Sequence, residues 1–155
     1  MLTLVSLAEG SEILFGIIMA GGRGTRLMPL TATRPKPMVP VLGRPVIDYV
    51  KDAMVAAGLS QIIVTTGFQG EQLIEHVSTW DISSRVNQED SPMGTAGSVR
   101  LLSNELKETF VVGSGDSVAS FDISDLLESH RKSGAKVTMA LWRVDDPSEF
   151  GIVGL

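Results

Sequence analysis

The stretch "EILFGIIMAGGRGTRLMPLTATRPKPM", residues 12–38, joins two unlike pieces of chain. Residues 12–20 form a short, nearly continuous apolar run that ends at glycine. A run of that length with almost no polar residue predicts a strand buried on both faces, the kind found in a parallel sheet. The piece that follows, residues 20–38, holds Arg23, Arg26, Arg34 and Lys36, three glycines and three prolines, and no acidic residue. Buried strand followed by a basic glycine loop predicts a ligand-binding edge rather than a simple connection.

The rest of the chain carries the opposite charge. The protein has 155 residues and a formal net charge of −5. Between residues 13 and 47 there are five bases (Arg23, Arg26, Arg34, Lys36 and Arg44) and no acid. The remaining 8 bases and 18 acids give the rest a net charge of −10. An acidic surface speaks against general nucleic-acid binding, which needs many phosphate contacts. A basic island within it points to a small anion held in one place. No apolar run approaches the ~20 residues of a membrane helix. The apolar residues near the N-terminus lack the preceding positive charge of a secretory signal. With 0 cysteines there is no disulfide framework, thiolate metal site or catalytic thiol. This composition predicts a cytoplasmic protein with no membrane partner.

Working outward, residues 44–58 place Val46, Ile47, Val50, Ala53, Met54 and Ala57 at helical spacing, with Pro45 at the start and Gly58 as the stop. Residues 61–67 predict a β-branched strand, 71–77 a short helix and 84–88 a strand. Residues 95–106 predict a helix, 109–116 a strand ending at Asp116, and 122–133 a helix with Asp122 as N-cap and Gly134 as stop. Residues 136–144 predict a further strand. Strand and helix alternate at least four times, which predicts an α/β fold, a Rossmann-like three-layer αβα sandwich around a mostly parallel sheet. Ligands bind outside the carboxyl ends of such strands. The basic loop and Asp116 both fall on that edge. Residues 1–12 are an extension of undecided role, an added strand among the options; residues 13–155 form one domain.

Glycines at 21, 22 and 24 let backbone N–H groups converge on an anion without Cβ obstruction. Thr25 adds a hydroxyl, Arg26 a bidentate fork and Lys36 a point charge for phosphate oxygens. In "RPKPM" Arg34 and Lys36 each precede proline, which predicts extended backbone there. Two other phosphate loops are excluded. No Lys-Ser or Lys-Thr follows the glycines, and Gly22-Arg23-Gly24 lacks the third glycine of a dinucleotide fingerprint.

"IIMAGGRGTRLMPLTATRPKPMVPVLGRPVIDYV" resembles the signature of the sugar-1-phosphate nucleotidyltransferases, the nucleoside-diphosphate-sugar pyrophosphorylases. The resemblance continues through "IIVTTGFQGEQL", "SPMGTAGSV", "FVVGSGD" and "DPSEFGIV", and is strongest to the mannose-1-phosphate guanylyltransferase and glucose-1-phosphate thymidylyltransferase-like branch. It implies an enzyme that transfers a nucleoside monophosphate from a triphosphate to a sugar-1-phosphate with release of pyrophosphate. Ala20, Gly21, Gly22, Gly24 and Thr25 would contact the nucleotide. Arg26 would bind the leaving phosphates, and Lys36 the α-phosphate and sugar phosphate. Gly94 and Thr95 would also touch the nucleotide, and Gly151 the sugar. Asp116 would hold Mg²⁺, although Ser114 stands where the family usually has Asn.

The resemblance also implies that Glu89 reads the base edge. A carboxylate only accepts hydrogen bonds, and guanine offers paired N–H donors, so GTP is the favoured substrate. The alternative for Glu89 is a solvated loop acid beside Asp90. His76 and His130 read as surface or helix-end residues, and Trp80 and Trp142 as packing. Family members are longer, so the chain resembles the incomplete N-terminal part of one. Exposed apolar surface would then favour a homo-oligomer. Two other functions stay open: a glucose-1-phosphate thymidylyl- or uridylyltransferase, and a nucleotide-binding regulatory module without turnover.

Overall fold

The computed structural model describes residues 4–6, 15–22, 24–67, 70–91, 93–118, 120–146, 148 and 151–153, with side chains from residue 15 onward. In chain order its elements are β1 (Leu4–Ser6), β2 (Phe15–Met19), a hairpin of β3 (Pro40–Val41) and β4 (Arg44–Pro45), α1 (Val46–Ala56), β5 (Gln61–Thr66) and α2 (Gly70–Val77). There follow β6 (Ser83–Gln88), α3 (Gly94–Arg100), β7 (Phe110–Ser114), α4 (Ile123–Ser133) and β8 (Thr138–Met139). Apart from the hairpin, the strands make one sheet in the order β6-β5-β2-β7-β1-β8. β6, β5, β2 and β7 run parallel, and β1 is antiparallel to both its neighbours.

Central strands must bury both faces, and β2, β5 and β7 do so by alternation. Ile18, Ile62, Val64 and Val111 join Ile47, Val50 and Met54 of α1, Leu73 and Val77 of α2, and Ile123 and Leu127 of α4 in the larger core. Ile17, Ile63 and Val112 point the other way, where Leu102 and Val99 cover them. Helices on both faces of a mostly parallel sheet are the three layers expected. α4 is capped as its sequence predicts: Ser124 N–H donates to Asp122 Oδ1 at 2.7 Å, and Gly134 closes the helix at φ 60°. No helix among the described residues is long and apolar enough to cross a membrane.

Three sequence expectations need correction. The helix expected over residues 95–106 is regular only to Arg100; beyond it Ser103 and Glu105 donate N–H groups three residues back, in successive tight turns. Ser and Asn at 103 and 104 favour such turns over helix. The strand expected over 136–144 is regular only at Thr138–Met139, because β8 is the sheet's outermost strand and the three-residue β1 is its partner. Trp142 does not pack but is 84% exposed. Trp80 packs against the core and His76 lies in the last turn of α2, as expected; beyond that, Asp48 Oδ1 meets His76 Nε2 at 2.7 Å and accepts from Trp80 Nε1–H at 3.0 Å, tying α2 to α1. Of the strand expected over 12–20, residues 12–14 lie outside the described residues.

His130 is in the last turn of α4, yet it is fully buried at 0% exposure. Its Nδ1 lies 2.7 Å from Thr138 Oγ1, and Nε2 has no hydrogen-bond partner among the described residues. Burial disfavours the imidazolium and lowers the His130 pKa. The unfolded chain therefore takes up a proton near pH 6.5 while the folded chain does so only at lower pH, and stability falls as pH drops below 6.5. Urea unfolding at pH 8, 6.5 and 5.5 checks this: the wild type should lose up to about 1.4 kcal/mol per pH unit below pH 6.5 from this group. His130→Gln should be less stable at pH 8 and fall less steeply on acidification.

Candidate functional site

The carboxyl ends of β2, β5, β6 and β7 lie side by side, since Met19 pairs with both Thr65 and Ser114, and Thr66 pairs with Gln88. Directly after β2, Ala20 N–H donates to Thr65 O at 2.8 Å. Gly21 comes close to the neighbouring strand end; a Cβ there would lie 3.8 Å from Gly67 N. Gly24 then turns left-handed at φ 62° and opens a short 3₁₀ turn over Thr25–Leu27. Thr31, itself buried, donates its hydroxyl to Gly24 O at 2.8 Å.

That turn sets where Lys36 lies. A Cβ on Gly24 would stand 2.9 Å from Lys36 Cβ and 2.9 Å from Thr31 Cγ2, so only glycine lets the two halves of the loop meet. Lys36 itself starts a second 3₁₀ turn, Lys36–Met38, rather than adopting the extended backbone that the following proline predicts. The turn's own hydrogen bonds, Met38 N–H to Pro35 O at 2.9 Å and Val39 N–H to Lys36 O at 3.1 Å, override that preference.

From the other side, β7 delivers Asp116. Gly115 N–H donates to Met19 O at 2.8 Å, extending the pairing with β2 by one residue. Any Cβ there would press on Ile18 Cγ2 at 2.9 Å and on Met19 O at 3.2 Å. The chain thus leaves the sheet with Asp116 beside the loop. Lys36 Nζ donates to Asp116 Oδ2 at 2.6 Å, although the residues are 80 apart in sequence. Both side chains are about one-third exposed, at 33% and 29%. Ser114 Oγ donates to Asp116 Oδ1 at 2.5 Å and Ser117 Oγ to the same oxygen at 3.2 Å. Burial pushes the Asp116 carboxyl up, but the hydrogen bonds and charge of Lys36, with those of Ser114 and Ser117, outweigh it and hold the group below its ordinary range.

The basic island divides on inspection. Arg44 is engaged elsewhere: it meets Asp52 Oδ2 at 2.6 Å and lies over the Tyr49 ring at 5.0 Å, fastening the hairpin to α1. Arg26 and Arg34 are exposed and make no ion pair among the described residues. Arg23 lies outside the described residues.

Glu89 follows β6, its N–H donating to Thr66 O at 2.7 Å. At 8% exposure it is not a solvated loop acid. Oε2 accepts from Met93 N–H at 3.2 Å, while Oε1 is buried with no partner among the described residues. A buried carboxylate oxygen without a donor is costly unless something supplies one. Glu89 Cβ lies 4.0 Å from a Cβ built on Gly67, the residue that Gly21 approaches, so the glycine loop and the buried acid adjoin. Gly94 (φ 71°) and Thr95 are exposed at the start of α3. Gly151 is exposed, with nothing among the described residues within 4 Å of a Cβ placed there. Among the described residues no three acidic or imidazole side chains gather as a metal cage, which leaves Asp116 as a single carboxylate. Ser117 and Thr31 escape a reading of the sequence; a hydroxyl one residue from Asp116 was the available signal for the first.

Comparison with known proteins gives concordant results. Residues 15–155 match the family described as Nucleotidyl transferase. A mannose-1-phosphate guanyltransferase of Eremothecium gossypii is 34% identical over 145 residues, covering 89% of this chain and 40% of its own. A mannose-1-phosphate guanylyltransferase of Mycobacterium tuberculosis is 35% identical over 141 residues, covering 88% and 39%. The crystal structure of HddC from Yersinia pseudotuberculosis complexed with GMP-PN superposes with a TM-score of 0.68 at 26% identity, covering 76% of this chain and 54% of that one. The chain therefore spans about 40% of the length of the curated relatives it matches.

Close packing at Gly24 yields a stability prediction. Gly24→Ala combines a left-handed φ with contacts at 2.9 Å and should lose about 1–2 kcal/mol in urea unfolding. Gly22→Ala, with nothing within 4 Å, should stay within about 0.5 kcal/mol of wild type.

Proposed function

The chain belongs to the nucleotidyl transferase family, and from that premise we propose that it transfers GMP from GTP to mannose-1-phosphate with release of pyrophosphate. One observation carries the reading: Lys36 and Asp116, 80 residues apart, meet at 2.6 Å beside a glycine loop at the carboxyl edge of the sheet. In the transfer, an oxygen of the sugar phosphate attacks the α-phosphorus in line, and the bond to the β-phosphate oxygen breaks. Pyrophosphate leaves with that electron pair. Positioning and charge neutralisation supply most of the acceleration.

In this reading Ala20, Gly21, Gly22, Gly24 and Thr25 line the nucleotide, with Gly94 and Thr95 beside it. Lys36 donates to the α-phosphate and sugar phosphate, and Arg26 pairs with the departing phosphates. The unpartnered Oε1 of Glu89 accepts from the N–H donors of guanine. Gly151 approaches the sugar. Asp116 suits Mg²⁺ by its chemistry, being an ionised hard-oxygen donor; such an ion takes one or two carboxylates and completes its shell with phosphate oxygens and water. Bound there, it would neutralise phosphate charge. A nucleotide-consuming, cysteine-free protein of this kind suits the cytoplasm.

Pyrophosphate release measured with GTP, dTTP, UTP and CTP, each with mannose- or glucose-1-phosphate, tests the reading. GTP with mannose-1-phosphate should turn over fastest, and Arg26→Ala and Lys36→Ala should each lose about 10²–10³-fold. Glu89→Gln should erode the preference for GTP over dTTP. A preference for dTTP or UTP in the wild type overturns the guanine assignment, and nucleotide binding without pyrophosphate release overturns turnover.

The partners include a second copy of the chain. Leu141, Trp142, Ile152 and Val153 are exposed at 51, 84, 75 and 45%, apolar side chains that face water. Sedimentation velocity should show a dimer or larger species that Trp142→Glu shifts toward monomer; a wild-type monomer at high concentration contradicts it.

A further inference from the structure

We propose that Ser114 is a positioning residue for the transfer: with Ser117 it occupies Asp116 Oδ1, so that a divalent cation can reach the carboxylate only through Oδ2. This rests on the reading of Asp116 as the Mg²⁺ ligand. The carboxylate has about four lone-pair sites, two on each oxygen. Oδ1 accepts from Ser114 Oγ at 2.5 Å and from Ser117 Oγ at 3.2 Å, which uses both of its sites. Among the described residues Oδ2 accepts only from Lys36 Nζ, at 2.6 Å, which leaves one of its sites open.

Two consequences follow from that division. A cation coordinates through one oxygen rather than two, since bidentate binding needs both oxygens free in the carboxylate plane. The oxygen left to a cation is also the one that Lys36 holds, so a bound cation would share Oδ2 with the lysine. Ser114 is well placed for this task. It is the last residue of β7, paired with Met19 of β2, so its backbone is set by the sheet rather than by the loop. The side chain two residues before Asp116 is therefore the rigid member of the pair, and Ser117, on the loop side at the longer distance, is the looser one.

Mn²⁺ binding by electron paramagnetic resonance, with a non-hydrolysable GTP analogue present, tests the proposal without turnover. Ser114→Ala should raise the Mn²⁺ Kd about 10-fold, as loss of a ligand's orienting partner does elsewhere. Ser117→Ala should have a smaller effect. Ser114→Thr keeps the hydroxyl and should restore near wild-type affinity, while Ser114→Cys keeps the size, has only a weak donor, and should resemble Ala. The Ala and Cys variants together keep the test valid if either one folds poorly. Wild-type affinity in folded Ser114→Ala, with affinity lost in Asp116→Asn, overturns the positioning role alone. Wild-type affinity in Asp116→Asn overturns the metal-ligand reading and the proposal with it.

Discussion

An ion pair 2.6 Å long between Lys36 and Asp116 is the point on which the molecule's organisation turns. Its energy alone does not account for that position, because a pair one-third exposed contributes at most about 1 kcal/mol. The packing that enforces it is more telling. Gly24 lets the first half of the loop close on Lys36, and Gly115 lets β7 stay against β2 for one residue more before Asp116 emerges. Two close approaches, each open only to glycine, set opposite charges face to face. Each charge is the other's counter-ion, and neither side chain is fully buried.

The sheet supplies the rigid part of this arrangement. Parallel β6, β5, β2 and β7 bring their carboxyl ends to a single edge, with a buried core on each face of the sheet. Along it the charged groups divide by chemistry. The Lys36–Asp116 pair stands between β2 and β7. Glu89 stands past β6, buried and holding one oxygen without a donor. A phosphate group suits the first, and a ring with N–H donors suits the second. A single nucleotide has both, with the ribose to span the difference, and the glycine loop from β2 adjoins both places.

Much of the fold was legible in the chain. Ile17, Ile18, Ile62, Ile63, Val64, Val111 and Val112 are apolar on both faces of their strands, and only a covered parallel sheet makes that pattern stable. Asp122 and Gly134 marked the ends of α4 because caps act through their own side chain or φ. What local reading missed was decided by distant partners. Arg44 counts as part of the basic island until α1 brings Asp52 to it. Lys36 reads as extended until the hydrogen bonds of its own turn are known. The burial of His130 follows from its packing against β8, and the pairing of Asp48 with His76 and Trp80 from the packing of α2 on α1. At the site, residue types near the loop and at the end of β7 were evident, but the two hydroxyls on Asp116 depend on side-chain direction at a strand end. Periodicity does not carry that information.

The most direct test of this organisation is a double-mutant cycle on the pair itself. GTP affinity would be measured by calorimetry in the presence of Mg²⁺ for wild type, Lys36→Met, Asp116→Asn and the double variant. If the two residues form one phosphate-binding unit, their effects are coupled by at least about 1 kcal/mol, as for residues in direct contact. Effects that add to within about 0.5 kcal/mol would mean that the contact is incidental to ligand binding.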